Sequence, residues 1–230
     1  MSSLDLGVYV SDLKVLESFI EMAKKIGLSG FTAQNVEDGP LIKLNDGFSV
    51  LSRADISGRG LNSIRKRVSN VREESMIVAV PLTTVEIANW AAEDKRVDLI
   101  TLEPSREHRL RDSTARLAAS SGTCLEVQFS PLLNSVGLNR SKIIKTFRES
   151  VHTATDAGMS VILSSGAKNP LHMRSAMAMR HIGILLGMDS KYAETVVCKT
   201  PFEILERNQR RFTPEFVLEG VKIIQRGGNE

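Results

Sequence analysis

The sequence predicts an α/β protein whose parallel sheet closes into a barrel, and three observations lead there. Short β-branched runs alternate with amphipathic helical stretches some seven times from end to end, the pattern of parallel strands joined by crossover helices. At 230 residues the chain falls between one and two domains of ~150 residues, and a single large α/β domain suits it better. An open doubly wound sheet also fits the alternation. The strands are short, however, and no Gly-rich βα loop dominates, which favours the barrel.

Leu4–Val10 reads as a strand, with Ser11 as the N-cap of a helix carrying Leu13, Leu16, Phe19, Ile20, Ala23 and Ile26 until Gly27 closes it. Gly30–Val36 and Phe48–Ile56 are extended, with Asn45-Asp46-Gly47 as the turn before the second. A helix follows over Leu61–Val71 and a strand over Met76–Pro81. Thr83-x-x-Glu86 reads as a capping box opening the helix of Ile87, Trp90 and Ala91. Val97–Leu102 is a strand, Asp112–Ser121 a helix, Cys124–Phe129 a strand. Ser141–Ala157 is a long helix with Ile143, Ile144, Phe147, Val151 and Ala154 on one stripe. After the strand Val161–Ser165, Asn169-Pro170 supplies an N-cap with proline at the first helical position. Further helices are expected near Ser190–Val197 and from Thr200-Pro201-x-Glu203, read as a second capping box. Residues 1–212 form the single barrel domain in this reading. Residues 213–230 are a C-terminal tail, which Ile223-Ile224 would pack back on the barrel.

Composition narrows the function classes. Hydrophobic residues make up 42% and charged residues 25%, enough apolar material for a core, with no run approaching the ~20 apolar residues of a membrane span and no secretory leader. A cytoplasmic protein without membrane partners is expected. Cys124 and Cys198 are too few and too isolated for a disulfide scaffold or a thiolate zinc site. Lys plus Arg exceeds Asp plus Glu only by 30 to 27, so any nucleic-acid surface must come from where the cations sit. Aromatics at 5% argue against a surface built mainly to stack unpaired bases.

Neither a dinucleotide fingerprint nor a P-loop is present. The nearest loop, Ser164-Ser165-Gly166-Ala167-Lys168, could cradle a phosphate with its amides and Lys168, although a plain βα turn accounts for it better. The four histidines (His108, His152, His172, His181) share no metal-ligand spacing. His152 falls on a polar helix side and His181, among Ile182 and Ile184, reads as a core residue. Asp55, Asp98, Glu103 and Glu126 stand at strand ends, where ion pairing to arginines is a simpler fate than a carboxylate site. Cations are more informative. Arg53 ends one strand and Arg59, Arg65, Lys66 and Arg67 follow it. Arg106, Arg109 and Arg111 follow Val97–Leu102, and Lys168, His172 and Arg174 follow Val161–Ser165. In a barrel these clusters gather on the C-terminal face, a basic surface suited to the phosphates of folded RNA.

Four blocks carry a resemblance. They are Val97-Asp98-Leu99-Ile100; Leu125-Glu126-Val127 leading to Pro131-Leu132-Leu133; Val161 to Ala167 with Pro170 and Arg174; and His181-Ile182-Gly183-Ile184-Leu185-Leu186-Gly187-Met188. In order and spacing, across residues 50–200, they resemble the ribonuclease P protein component 3 family of archaea and eukaryotes. The resemblance implies a TIM-barrel-like fold related to the polymerase and histidinol phosphatase (PHP) superfamily of metal hydrolases. Members of that superfamily begin Asp-Leu-His-x-His. Here the stretch is Asp5-Leu6-Gly7-Val8-Tyr9, with both ligand positions vacant, so the chain is expected to bind no metal and to hold no catalytic residue. The implied function is that of a protein subunit of ribonuclease P, supporting the RNA that removes the 5′ leader of precursor tRNA with its own Mg²⁺. The implied partners are that RNA and the ferredoxin-like component 2, with precursor tRNA as the shared substrate. Arg53, Lys168 and Arg174 lie in matched blocks and are carried over as RNA contacts. Arg106, Arg109 and Arg111 join them by charge and place, and His172 less strongly. The alternatives are a stand-alone metal-dependent barrel phosphoesterase and a barrel whose basic face binds an acidic protein.

Overall fold

The computed structural model describes residues 2–10, 12–34, 39–104, 109–213, 216–218 and 221–222. The strands β1 (Leu4–Asp5), β2 (Gly30–Ala33), β4 (Ser49–Asp55), β5 (Ile77–Pro81), β6 (Leu99–Thr101), β7 (Cys124–Gln128) and β8 (Val161–Ser164) pair in parallel in that order. A short β3 (Leu41–Lys43) pairs antiparallel with β4 through the predicted Asn45–Gly47 turn. The sheet curls until its ends meet. Val8 bridges Ala167, the Tyr9 N–H donates to the Ala167 carbonyl at 2.8 Å, and the Ser165 N–H donates to Asp5 Oδ1 at 3.0 Å. The barrel expected from the alternation is therefore present. Its first strand is only two residues long, because the chain beyond Asp5 leaves the ladder to make these seam contacts.

Around it lie α1 (Leu16–Lys25), α2 (Leu61–Val71), α3 (Val85–Glu93), α4 (Asp112–Ser121), α5 (Ser130–Leu133), α6 (Gly137–Asp156), α7 (Ala176–Leu185), α8 (Ser190–Cys198) and α9 (Thr200–Gln209). Strand alternation divides the apolar residues between two cores. Val50, Val78, Val80, Ile100, Leu125, Val127 and Leu163 point outward and pack under the helices with Phe19, Phe147 and Met179. Phe31 joins them, its ring centroid 6.3 Å from Phe19 and 5.8 Å from Phe48, pairs that each add ~0.5–1.5 kcal/mol beyond the area they bury. Leu4, Leu51, Ile77, Leu99, Cys124 and Ile162 point inward, and Ile204 and Leu205 of α9 close the floor beneath them.

That floor is pinned by ions. Asp98, fully buried, accepts from Arg72 Nη1 at 2.6 Å and from the Val78 N–H at 2.9 Å through Oδ2, and from Arg207 Nη2 of α9 at 3.0 Å through Oδ1. Asn208 Nδ2 donates to the Met76 carbonyl at 2.8 Å.

Several local expectations shift. Thr84, not Thr83, caps α3, its Oγ1 accepting from the Ile87 N–H at 3.3 Å. At α9 the box does not form: Thr200 is already helical, and the preceding Lys199 makes no side-chain cap. Asn169 does cap, accepting from the Leu171 N–H at 2.9 Å, but the element it opens is a single 3₁₀ turn, Pro170–His172; α7 starts anew from Ser175. His181 is exposed rather than in the core, because Met179 and Gly183 take the buried side of α7 and Ile184 and Leu185 share its solvent side. The tail contains a small antiparallel pair, β9 (Phe216–Leu218) with β10 (Val221–Lys222). Ser11, the Val36 end of the second predicted strand and Ile223-Ile224 lie outside the described residues. Among the described residues no helix is long and apolar enough to cross a membrane.

Candidate functional site

Period-two alternation decides what fills the barrel above its apolar floor. On β4 the inward positions after Leu51 are Arg53 and Asp55; on β7, after Cys124, they are Glu126 and Gln128. Arg53 and Glu126 meet across the interior as a bidentate pair, Nη1 to Oε1 and Nη2 to Oε2, both 2.7 Å. Arg53 also donates to Asp55 Oδ1 from Nε at 3.0 Å and from Nη2 at 2.8 Å, and to the Leu6 carbonyl. The remaining capacity of Glu126 is met by Thr101 Oγ1 at 2.7 Å, Ser164 Oγ at 2.8 Å and Gln128 Nε2 at 3.2 Å. Burial alone would lower the pKa of Arg53, but the Glu126 and Asp55 carboxylates override it and hold the guanidinium well above its ordinary range.

Arg53 is thus not an RNA contact at the rim. The expectation fails because its side chain is fully enclosed and saturated with acceptors. The same arrangement answers whether a metal of the PHP kind fits. A Cβ on Gly7 would overlap Ser164 Oγ and press on Glu126 Oε1 at 3.0 Å, so the first ligand position has no room for a histidine. The second holds Tyr9, whose hydroxyl accepts from Gln128 Nε2 at 2.6 Å. A guanidinium already neutralises the carboxylates, and among the described residues no group of His, Cys, Asp and Glu is placed to hold a metal ion. These residues do not fit such an ion.

Tyr9 roofs this cluster. Its ring centroid lies 5.6 Å from Arg53 Cζ, and burial pushes the phenol pKa up, keeping it neutral. Asp5 lies deeper. Its Oδ1 accepts from the N–H groups of Gly7 (3.1 Å) and Ser165 (3.0 Å), while the buried Oδ2 meets no partner among the described residues. Desolvation raises the Asp5 pKa, outweighing these hydrogen bonds. A carboxyl whose folded-state pKa is raised stabilises the fold fully below the ordinary carboxylate range, and the effect is lost as pH rises through the folded value. Asp5→Asn is therefore expected to flatten the fall in stability as pH rises above the ordinary carboxylate range, in urea melts across that range. An unchanged slope would show that Asp5 is ionised inside the fold.

The predicted basic positions divide by place. Lys168 and His172 are exposed beyond β8, and half-buried Arg174 caps the 3₁₀ turn there, donating to the carbonyls of Leu171 (3.0 Å) and Met173 (2.8 Å). Beyond β6, Arg111 is exposed, and Arg109 pairs with Glu149 of α6 at 3.1 Å with both side chains partly open to solvent. Arg106 lies outside the described residues. Beyond β4, Arg59 and Lys66 are exposed, Arg65 stacks on Trp90 at 5.7 Å and Arg67 donates to the Ser57 carbonyl. Cations therefore ring the C-terminal ends of β4, β6 and β8, around a mouth filled by Arg53 and Tyr9.

The loop after β8 is a plain turn rather than an anion cradle. Its Ser165 amide serves Asp5, and its Ala167 amide serves Ser165 Oγ at 3.1 Å. Gly166 has a φ of +64°, and a Cβ there would lie 2.9 Å from Ser130 Cβ and 3.1 Å from Gln128 Cβ, so only glycine fits the close approach of this loop to the junction of β7 and α5. Three of the four strand-end acids follow the ion-pair reading, with Asp55 and Glu126 on Arg53, and Asp98 on Arg72 and Arg207 at the opposite end of the barrel, while Glu103 is exposed. Sequence reasoning missed Gln128, and placed Tyr9 only as the occupant of a vacant ligand position. The available signal was that Gln128 shares the inward face of β7 with Glu126.

A family model described as RNase P subunit p30 matches residues 3–213. A ribonuclease P protein component 3 of Methanosarcina acetivorans is 22% identical over 213 residues, covering 90% of this chain and 88% of the relative. Its counterpart in Methanothermobacter thermautotrophicus is 23% identical over 179 residues, covering 77% and 72%. Among solved structures, a chain of an archaeal ribonuclease P with mature tRNA, determined by cryo-EM, superimposes with a TM-score of 0.80 at 20% identity, each chain covered in full.

Proposed function

Because the chain belongs to the RNase P subunit p30 family, we propose that it is a protein subunit of ribonuclease P, supporting the catalytic RNA in removal of the 5′ leader from precursor tRNA. The observation that carries this is the family match across residues 3–213. A barrel mouth filled by its own guanidinium agrees with it, since that leaves the chain an architectural part beside an RNA that positions Mg²⁺.

In this reading the contribution is electrostatic. Lys168, Arg174 and His172 beyond β8, and Arg109 and Arg111 beyond β6, set cations against phosphates that repel one another in the compact RNA. Arg106 belongs to the same group by sequence. The protein partner is the ferredoxin-like component 2. Supporting a protein contact of that kind are apolar side chains left open around α7, with Leu171 at 72% and Met177 at 70% exposure, chemistry that RNA would not cover.

The test is reconstitution. The RNA subunit with component 2 is assayed for precursor-tRNA cleavage at modest Mg²⁺, with and without this chain. Cleavage should rise only when the chain is added, and the chain alone should be inert. Lys168→Ala with Arg174→Ala should weaken RNA binding and reduce the slope of log affinity against log salt by roughly 0.7–0.9 for each phosphate that is no longer neutralised. Absence of rescue would defeat the proposal, and an unchanged slope would remove both residues from the interface.

A further inference from the structure

Lys168 has an unusual neighbour for a surface lysine. Among the described residues no carboxylate pairs with it; its Nζ instead stands 5.9 Å from the centroid of the Tyr9 ring. The Arg53 guanidinium lies 5.6 Å from the same centroid. The ring cannot easily turn away. Its backbone N–H is tied to the Ala167 carbonyl at 2.8 Å, its hydroxyl accepts from Gln128 Nε2 at 2.6 Å, and the hydroxyl faces Asp55 Oδ1 at 3.5 Å. Arg53 in turn is fixed by both oxygens of Glu126. A rigid column thus runs from Glu126 through Arg53 and Tyr9 to an exposed lysine at the rim.

We infer that Tyr9 is a positioning residue that holds the Lys168 ammonium over its ring as a preset seat for one RNA phosphate. This rests on the reading of the chain as a ribonuclease P subunit and deepens it. A lysine on a flexible stem loses rotamer freedom when it meets a phosphate; one already drawn to an aromatic ring has surrendered much of that freedom before binding. The cation beneath does not repel it, because Arg53 is neutralised by Glu126 and Asp55 together. A ring attracts a cation through its quadrupole and needs no hydroxyl for this, so phenylalanine should serve as well as tyrosine while leucine should not.

The test has two arms on the full-length chain. In the first, NMR of the free protein with labelled lysine reads the ring-current shift of the Lys168 side-chain methylenes. It should be upfield in the wild type and in Tyr9→Phe, and absent in Tyr9→Leu. In the second, affinity for ribonuclease P RNA is measured against salt for Tyr9→Leu, Lys168→Ala and the double variant, thermal melts confirming the fold. Tyr9→Leu should weaken binding about two- to fivefold without changing the salt slope, and should have no effect once Lys168 is alanine. No ring-current shift in the wild type would overturn the stack. Equal losses from Tyr9→Leu with and without Lys168 would overturn the inference alone. If Lys168→Ala binds RNA like the wild type while the shift is present, the placement of Lys168 at the RNA falls first, and the phosphate seat with it.

Discussion

Arg53→Met is expected to destabilise the barrel by about 3–5 kcal/mol, because it strands the Glu126 and Asp55 carboxylates without their shared cation. Glu126 is fully enclosed. At roughly 2–4 °C per kcal/mol for a domain of this size, the melting temperature should fall by about 6–20 °C. A double variant separates this cause from weakened packing. Adding Glu126→Gln should recover part of the loss by replacing the orphaned charge with a neutral amide. A loss under about 1 kcal/mol, or one that Glu126→Gln does not relieve, would mean that water reaches the pair.

Asp98→Ala is expected to cost a similar amount at the other end of the barrel. It leaves buried Arg72 without a carboxylate and removes the Arg207 ion pair that fastens α9 beneath the strands. The expected loss is about 3–5 kcal/mol in urea unfolding, with amide exchange accelerated most in α9. Asp98→Asn should cost less, because one oxygen can still accept from the Val78 N–H. If α9 exchanges at wild-type rates in the alanine variant, Ile204 and Leu205 hold the floor without the ion pairs.

How much of this is legible in the sequence follows from the range of each interaction. Leu61–Val71 and Asp112–Ser121 match their predicted bounds because an amphipathic period is a local property. Caps are local too, but Thr83 and Thr84 compete one residue apart, and only geometry decides between them. Sequence places Arg53 correctly near a strand end and wrongly turns it outward. The partner that draws it in, Glu126, is 73 residues away. One pattern carries a hint: Arg53 follows Leu51, and Glu126 follows Cys124, at the period of two that marks a shared face. A polar residue continuing an inward apolar row needs a partner inside, and two such rows imply each other. His181 misleads in the opposite way, since its apolar neighbours in sequence include Ile184 and Leu185, which α7 turns to solvent. The motif comparison sets Tyr9 at a ligand position but gives no sign of its contacts, which depend on the meeting of the first and last strands.

That meeting has a consequence for how the chain is made. Along the barrel, β2, β4, β5, β6, β7 and β8 each pair with a neighbour that has already left the ribosome, so the sheet can grow in the order of synthesis. The seam cannot. Asp5 waits for Ser165, 160 residues later, and the floor waits for α9 later still. Closure over such a separation carries a large entropy cost that is recovered only at the end, making it the slow and committing step. Until then the buried acid at Asp5, the cavity for Arg53 and the underside of the sheet stay open to water and to other chains. The nascent protein is therefore most exposed to misassociation just before α9 emerges, and the docking of that helix is what ends the interval.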